Sequence, residues 1–168
     1  MPADDPTSAD VAAAVETVAE RAPARRACVV LLGGRPFAVD VIQAREVVML
    51  DVTTAVPGAP APLVGVMNLR GHVLPVVEAR PLLGLPVRPT LERPRTLVLA
   101  DGDHRAAIVI ERVVGLTAFD DVQAAADAEP GALALGELVD EAGVRATLLD
   151  ASALLTAVRR AWDSAPGG

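Results

Sequence analysis

Few side chains in this sequence have the chemistry of a nucleophile, base or metal ligand. The two histidines, His72 and His104, fall in stretches that read as hairpin turns. A solvated turn residue accounts for each better than a general base does. Cys28, the single cysteine, opens an apolar run and reads as a small buried hydrophobe. No Cys/His spacing resembles a zinc site. Gly33-Gly34 joins two strand-like runs and lacks the Lys-Ser/Thr that follows a phosphate loop. Asp101 and Asp103 flank Gly102, which is turn chemistry and not a calcium loop. Ser8, Ser152 and Ser164 stand outside the β pattern with no histidine near them in sequence. The expectation is no catalytic residue, no metal, no cofactor and no enzyme, because catalysis needs an activated group that this chain does not assemble.

Recognition is the chemistry that remains. Ile42, Val47, Val48 and Met49 form an apolar run broken by Arg45 and Glu46, and Asn68, Arg70 and Gly71 interrupt two further apolar runs. Apolar surface ringed by a few charges, held on a stiff scaffold, suits docking to another protein. Two other readings stay open on these residues alone. Val47 to Leu50 could be a strand buried on both faces, and Arg70 could pair with a local carboxylate.

The elements that would hold these residues are mostly strands. Cys28–Leu32 and Pro36–Asp40 flank Gly33-Gly34 as a hairpin. Val41–Arg45 suits a turn of helix, and Glu46–Leu50 a strand. Val56–Pro62, with three prolines, is a loop that cannot be helical. Val64–Leu69 and Val73–Val77 make a hairpin around Arg70-Gly71, with Pro75 suggesting an edge strand. Leu82 and Leu83 then suit a helical turn closed by Gly84 and Pro86.

After a Pro-rich linker, Val87–Pro94, the pattern recurs. Thr96–Ala100 and Arg105–Ile110 form a hairpin, Val113–Phe119 a strand, and Gly136–Asp140 with Val144–Leu149 a second hairpin. The offset of roughly 70 residues indicates an internal duplication. Residues 151–162 read as a helix with Leu154, Leu155, Val158 and Trp162 on one face, and Trp162 as core packing. The expected fold is all-β: two small five-stranded barrels packed together, near 27–87 and 95–150, with a C-terminal helix and a short tail at 164–168. Residues 1–26 read as an extension, either disordered or a short helix, with Val11, Val15 and Val18 at helical spacing between Val11 and Arg21.

Composition narrows the partners. The chain has 168 residues, a net charge of −7, 2% aromatics and no tyrosine. Nucleic acid is not expected, since phosphate contacts need clustered cations and base stacking needs rings. No secretory leader and no run of 18 apolar residues is present, so no membrane insertion is expected and the location reads as cytoplasmic. A lone cysteine fits a reducing compartment.

Asn68-Leu69-Arg70-Gly71, the strand with Pro75, then Glu78, Arg80 and Leu83-Gly84-Leu85-Pro86 together resemble the signature hairpin of the CheW family, the coupling proteins of bacterial chemotaxis. Phe37-Ala38-Val39, Arg45-Glu46-Val47 and Pro57-Gly58-Ala59-Pro60 extend the likeness over roughly Cys28 to Leu155, a span of one domain. The resemblance implies two SH3-like barrels and no enzymatic activity. It implies an adaptor recruited to receptor arrays, bridging the helical cytoplasmic tip of a chemoreceptor to the regulatory domain of a CheA-type histidine autokinase. By motif, Glu46 would meet the kinase with Ile42 and Val48 as apolar neighbours. Asn68, Arg70 and Gly71 would couple receptor and kinase in the array. His72 stands where the family commonly shows an acid. The rival readings are a barrel that binds a peptide or small molecule, and a CheW-like scaffold in a non-chemotactic motility or developmental pathway.

Overall fold

The computed structural model describes residues 25–87, 94–119, 123–124, 132–140 and 143–164. The segment Val11–Arg21, read as a short helix or a disordered tail, lies outside them, as does most of the linker. Eleven strands run β1 (Arg25–Leu32), β2 (Arg35–Asp40), β3 (Ala44–Met49), β4 (Leu63–Leu69), β5 (His72–Val77), β6 (Arg95–Asp101), β7 (His104–Ile110), β8 (Arg112–Phe119), β9 (Gln123–Ala124), β10 (Ala134–Val139) and β11 (Arg145–Leu149). A 3₁₀ turn, Pro81–Leu83, follows β5, and helix α1 spans Ala151–Asp163. Residues 41–43 are a turn, not the helical piece expected there, and β1 starts two residues before the expected boundary at Ala27.

The strands form two sheets, one in the order β8-β1-β2-β11-β10-β9 and one in the order β3-β6-β7-β5-β4. The contiguous division into barrels at 27–87 and 95–150 is therefore corrected. Each sheet takes its central hairpin from one half of the chain and its other strands from the other half. The duplication is present, but the repeats exchange strands. Hairpin β1-β2 joins β11 in parallel through Leu148↔Ala38, and hairpin β6-β7 joins β5 in parallel through Val76↔Ala107. Matching bulges interrupt the ladders at Leu63/Gly65 and at Ala134/Gly136.

Exchange explains the burial pattern. β1 alternates between two cores. Ala27 and Val29 point into a cluster with Ala38, Leu138 and Leu148, inside the first barrel. Cys28, Val30 and Leu32 point to the largest cluster, which also gathers Leu97, Leu99 and Ile108 from the other sheet and Leu154, Leu155 and Val158 from α1. A central strand with both faces covered reads as an unbroken apolar run. β3 and β8 lie at sheet edges and alternate instead, with every second residue exposed.

Each sheet curls until the chain leaving its edge strand meets the opposite edge. Thr54, beyond β3, exchanges two 2.8 Å backbone hydrogen bonds with Val66 on β4. Ala124 pairs with Gly136 on β10 in the same way. Gly65 makes the first closure possible. Its φ is +156°, and a Cβ there would sit 2.3 Å from the Thr54 carbonyl oxygen.

Pro75 does not mark an edge strand, because β5 lies between β7 and β4. The proline is tolerated because pairing with β7 begins only at Val76, one residue later. The outer part of β5 therefore projects past the parallel ladder as an arm. At its base Arg80 is nearly buried and its Nε donates to Glu78 Oε1 at 2.7 Å. At the end of the fold Asp150 caps α1, accepting from Ala153 N at 2.9 Å.

Candidate partner-docking site

The tip of the β4-β5 arm is a two-residue turn. Arg70 adopts a left-handed conformation, φ +52°, and Gly71 follows at φ +86°. Positive φ at both central positions is what a tightly twisted hairpin turn requires. Asn68 stabilises it, since its Oδ1 accepts the Gly71 N–H at 2.8 Å. The turn leaves the Arg70 side chain free of the strand and aims it toward β3.

There it meets Glu46. Arg70 donates from both terminal nitrogens, at 3.0 Å to Oε1 and 2.7 Å to Oε2. This two-pronged geometry fixes both planes, which a lysine could not do. A bulge between Ala44 and Glu46 sets the register of Glu46 on β3, where it faces Val98 of β6. Glu46 is the more sheltered partner, with a side chain 28% exposed against 74% for Arg70. Residues assigned by motif to two different partners are thus one ion pair. Its members lie on separate elements that the Thr54–Val66 closure brings side by side.

The remaining motif residues divide. Ile42, in the turn before β3, is 71% exposed. Val48 shares the Glu46 face of β3 and packs, half-buried, against the cluster of Met67, Leu74 and Val76 inside the second barrel. It supports the strand from within. The apolar side chains that β3 turns outward are Val47 and Met49. The apolar run read from the sequence included both, whereas the motif singled out Val48, and strict alternation from Glu46 separates the two outward residues from it. The reading of Val47–Leu50 as buried on both faces fails on these two residues. The local-carboxylate reading of Arg70 is correct, and Glu46 is that carboxylate.

The second half repeats the architecture without the fork. Arg145 Nη1 bonds Glu137 Oε2 at 2.8 Å across β10 and β11, while β8 exposes Val114 and Leu116. Among the described residues no three His, Cys, Asp or Glu are placed to hold a metal ion. No described helix is long and apolar enough to cross a membrane.

A family model described as the CheW-like domain matches residues 26–159. The chain is similar to the chemotaxis protein CheW of Bacillus subtilis, 30% identical over 83 residues, 49% of this chain and 53% of that protein. It is 40% identical over 60 residues to the probable chemotaxis protein CheW of Rhizobium etli, covering 35% of this chain and 39% of that one. It is 31% identical over 88 residues to the protein PilI of Pseudomonas aeruginosa, covering 52% and 49%. These matches span about half, or less, of the relatives' own length. The crystal structure of the scaffolding protein TtCheW from Thermoanaerobacter tengcongensis superimposes with a TM-score of 0.69 at 18% identity, over 76% of this chain and 90% of that one, which shows a shared fold. With its exchanged barrels, its closing helix and a family match running from β1 into α1, this chain belongs to the CheW-like domain family.

Proposed function

We propose that this chain is a non-catalytic adaptor that couples chemoreceptors to a CheA-type histidine autokinase in bacterial chemosensory signalling. The observation that supports the reading is the Glu46–Arg70 fork on a rigid sheet edge, whose outward face exposes Ile42, Val47 and Met49. The kinase regulatory domain docks on this apolar strip, and Asn68 and Gly71 hold Arg70 where the kinase and the receptor's helical tip both approach. The adaptor works by geometry. Two partners bound to one stiff body meet at raised effective concentration and in fixed orientation. Signals pass because the partners' states are bound unequally. The protein acts at the receptor arrays, recruited by these contacts without inserting into the bilayer.

The test is a pulldown of the cognate kinase regulatory domain with the native chain and with Glu46→Lys. Reversed charge at a close contact is expected to weaken capture at least tenfold. Equal capture by both removes Glu46 from the kinase contact.

A further inference from the structure

A cleft of about 350 Å³ opens between the β4-β5 arm, the β6-β7 turn and α1. Its cause is Pro75. Because the β5–β7 ladder starts only at Val76, His72–Pro75 and His104–Ala106 form no ladder pairs with each other, and the sheet splits like a wedge. α1 crosses the open end. The floor is apolar: Val66, Val73 and Pro75 on the arm, and Leu155, Val158 and Trp162 on the helix. Val73 is 67% exposed, an unusual position for an aliphatic side chain flanked by other apolar ones. The rim carries His104, Arg105 and Arg159 with Asp103 and Asp163, and His72 lines the adjoining recess. Arg159 is engaged by Asp163 at 3.7 Å and by His104 Nε2 at 3.2 Å. Arg105 has no ion-pair partner among the described residues.

We propose that segment 1–24 of this same chain docks reversibly in the cleft, with Val11, Val15 and Val18 on the floor and its acids toward Arg105. The inference goes beyond the adaptor reading and does not depend on it. Three features of the segment fit. Its chemistry is complementary: three valines at helical spacing, with Asp4, Asp5, Asp10, Glu16 and Glu20 against the single Arg21. Asp103 and Asp163 oppose these acids locally, so attraction centres on Arg105. Its reach is sufficient. The segment joins the fold at Arg25, and twenty-four extended residues cover about 80 Å, roughly twice the diameter of a domain this size. Its tether supplies the affinity. A free peptide with three apolar anchors binds at about millimolar, and a short tether provides about millimolar effective concentration, so roughly half the molecules are covered. Such a cover yields readily to a partner approaching the arm.

Trp162 is the only tryptophan and there is no tyrosine, so it is a clean donor. The native sequence and each variant carry Ala3→Cys, labelled with a dansyl maleimide while Cys28 stays buried. Energy transfer from Trp162 and acrylamide quenching of Trp162 are then compared with those of Val11→Asp/Val15→Asp/Val18→Asp. Uncovering the cleft is expected to raise the quenching constant up to about twofold and to lower transfer in proportion. Arg105→Glu, at an exposed position, is expected to lower transfer with an unchanged melting temperature. Identical quenching and transfer in native and variant chains overturn the proposal. Transfer that grows with protein concentration also overturns it, because the occupant is then a second copy.

Discussion

The Glu46–Arg70 fork can be tested by exchanging its ends. The pair is bidentate but open to solvent on the arginine side, which limits it to about 0.5–1 kcal/mol. For a domain of this size each kcal/mol moves the melting temperature by about 2–4 °C. Arg70→Ala should therefore lower it by only about 1–4 °C. Arg70→Glu sets two carboxylates against each other and should cost about twice that. The swap Glu46→Arg/Arg70→Glu restores the bond with its polarity reversed, so thermal stability should return to near the native value. Coupling should not return. Partner surfaces have fixed charges, and a reversed fork presents each with the wrong sign. The assay is kinase activation in a reconstituted receptor–kinase mixture, run beside calorimetry on the same samples. Recovery of activation by the swap would show that the fork serves only to tie the arm to β3. A loss above about 10 °C for Arg70→Ala would show that the solvent discount was wrong.

Gly65→Ala should unfold the protein at a markedly lower temperature, because its methyl group collides with the Thr54 carbonyl and removes the paired bonds to Val66. The cost is about 2–4 kcal/mol, read by urea titration, and a change below 0.5 kcal/mol would mean that the closure is not needed. Burial pushes the Cys28 thiol pKa up. Its folded form holds the proton after the unfolded chain has lost it, so stability is full below about pH 8.5 and declines as pH rises above it. Ellman's reagent should accordingly modify Cys28 only as fast as the chain unfolds, and rapid stoichiometric labelling of native protein would contradict its burial.

Much of this architecture was legible in local chemistry. Gly33-Gly34, Arg70-Gly71 and Gly102 each sit between apolar runs, and each marks a hairpin that forms. The duplication was legible because both halves repeat the same order of turns. Strand exchange was not. Whether β1-β2 closes on β4-β5 or on β10-β11 is decided by packing between distant segments, and nothing in the hairpin sequence records it. Pro75 misled for a related reason. It reports a missing donor at one residue, whereas edge position belongs to a whole strand, and here the ladder simply begins one residue later. At the site, Glu46 and Arg70 were both singled out, but on different elements and for different partners. Their bond depends on the closure at Thr54, a residue with no distinguishing pattern around it.

The exchanged strands also bear on how the protein is made. The second barrel needs only β3 through β7, so it can close once residue 110 has left the ribosome. The first barrel cannot. Its β1-β2 hairpin emerges earliest, yet the strands that flank it, β8 and β11, are among the last synthesised. Until they arrive, a strongly apolar ribbon with two open edges waits beside a finished neighbour. Ribosome pausing or chaperone capture would therefore matter most over the stretch between residues 110 and 149, when one barrel is complete and the other has only its centre.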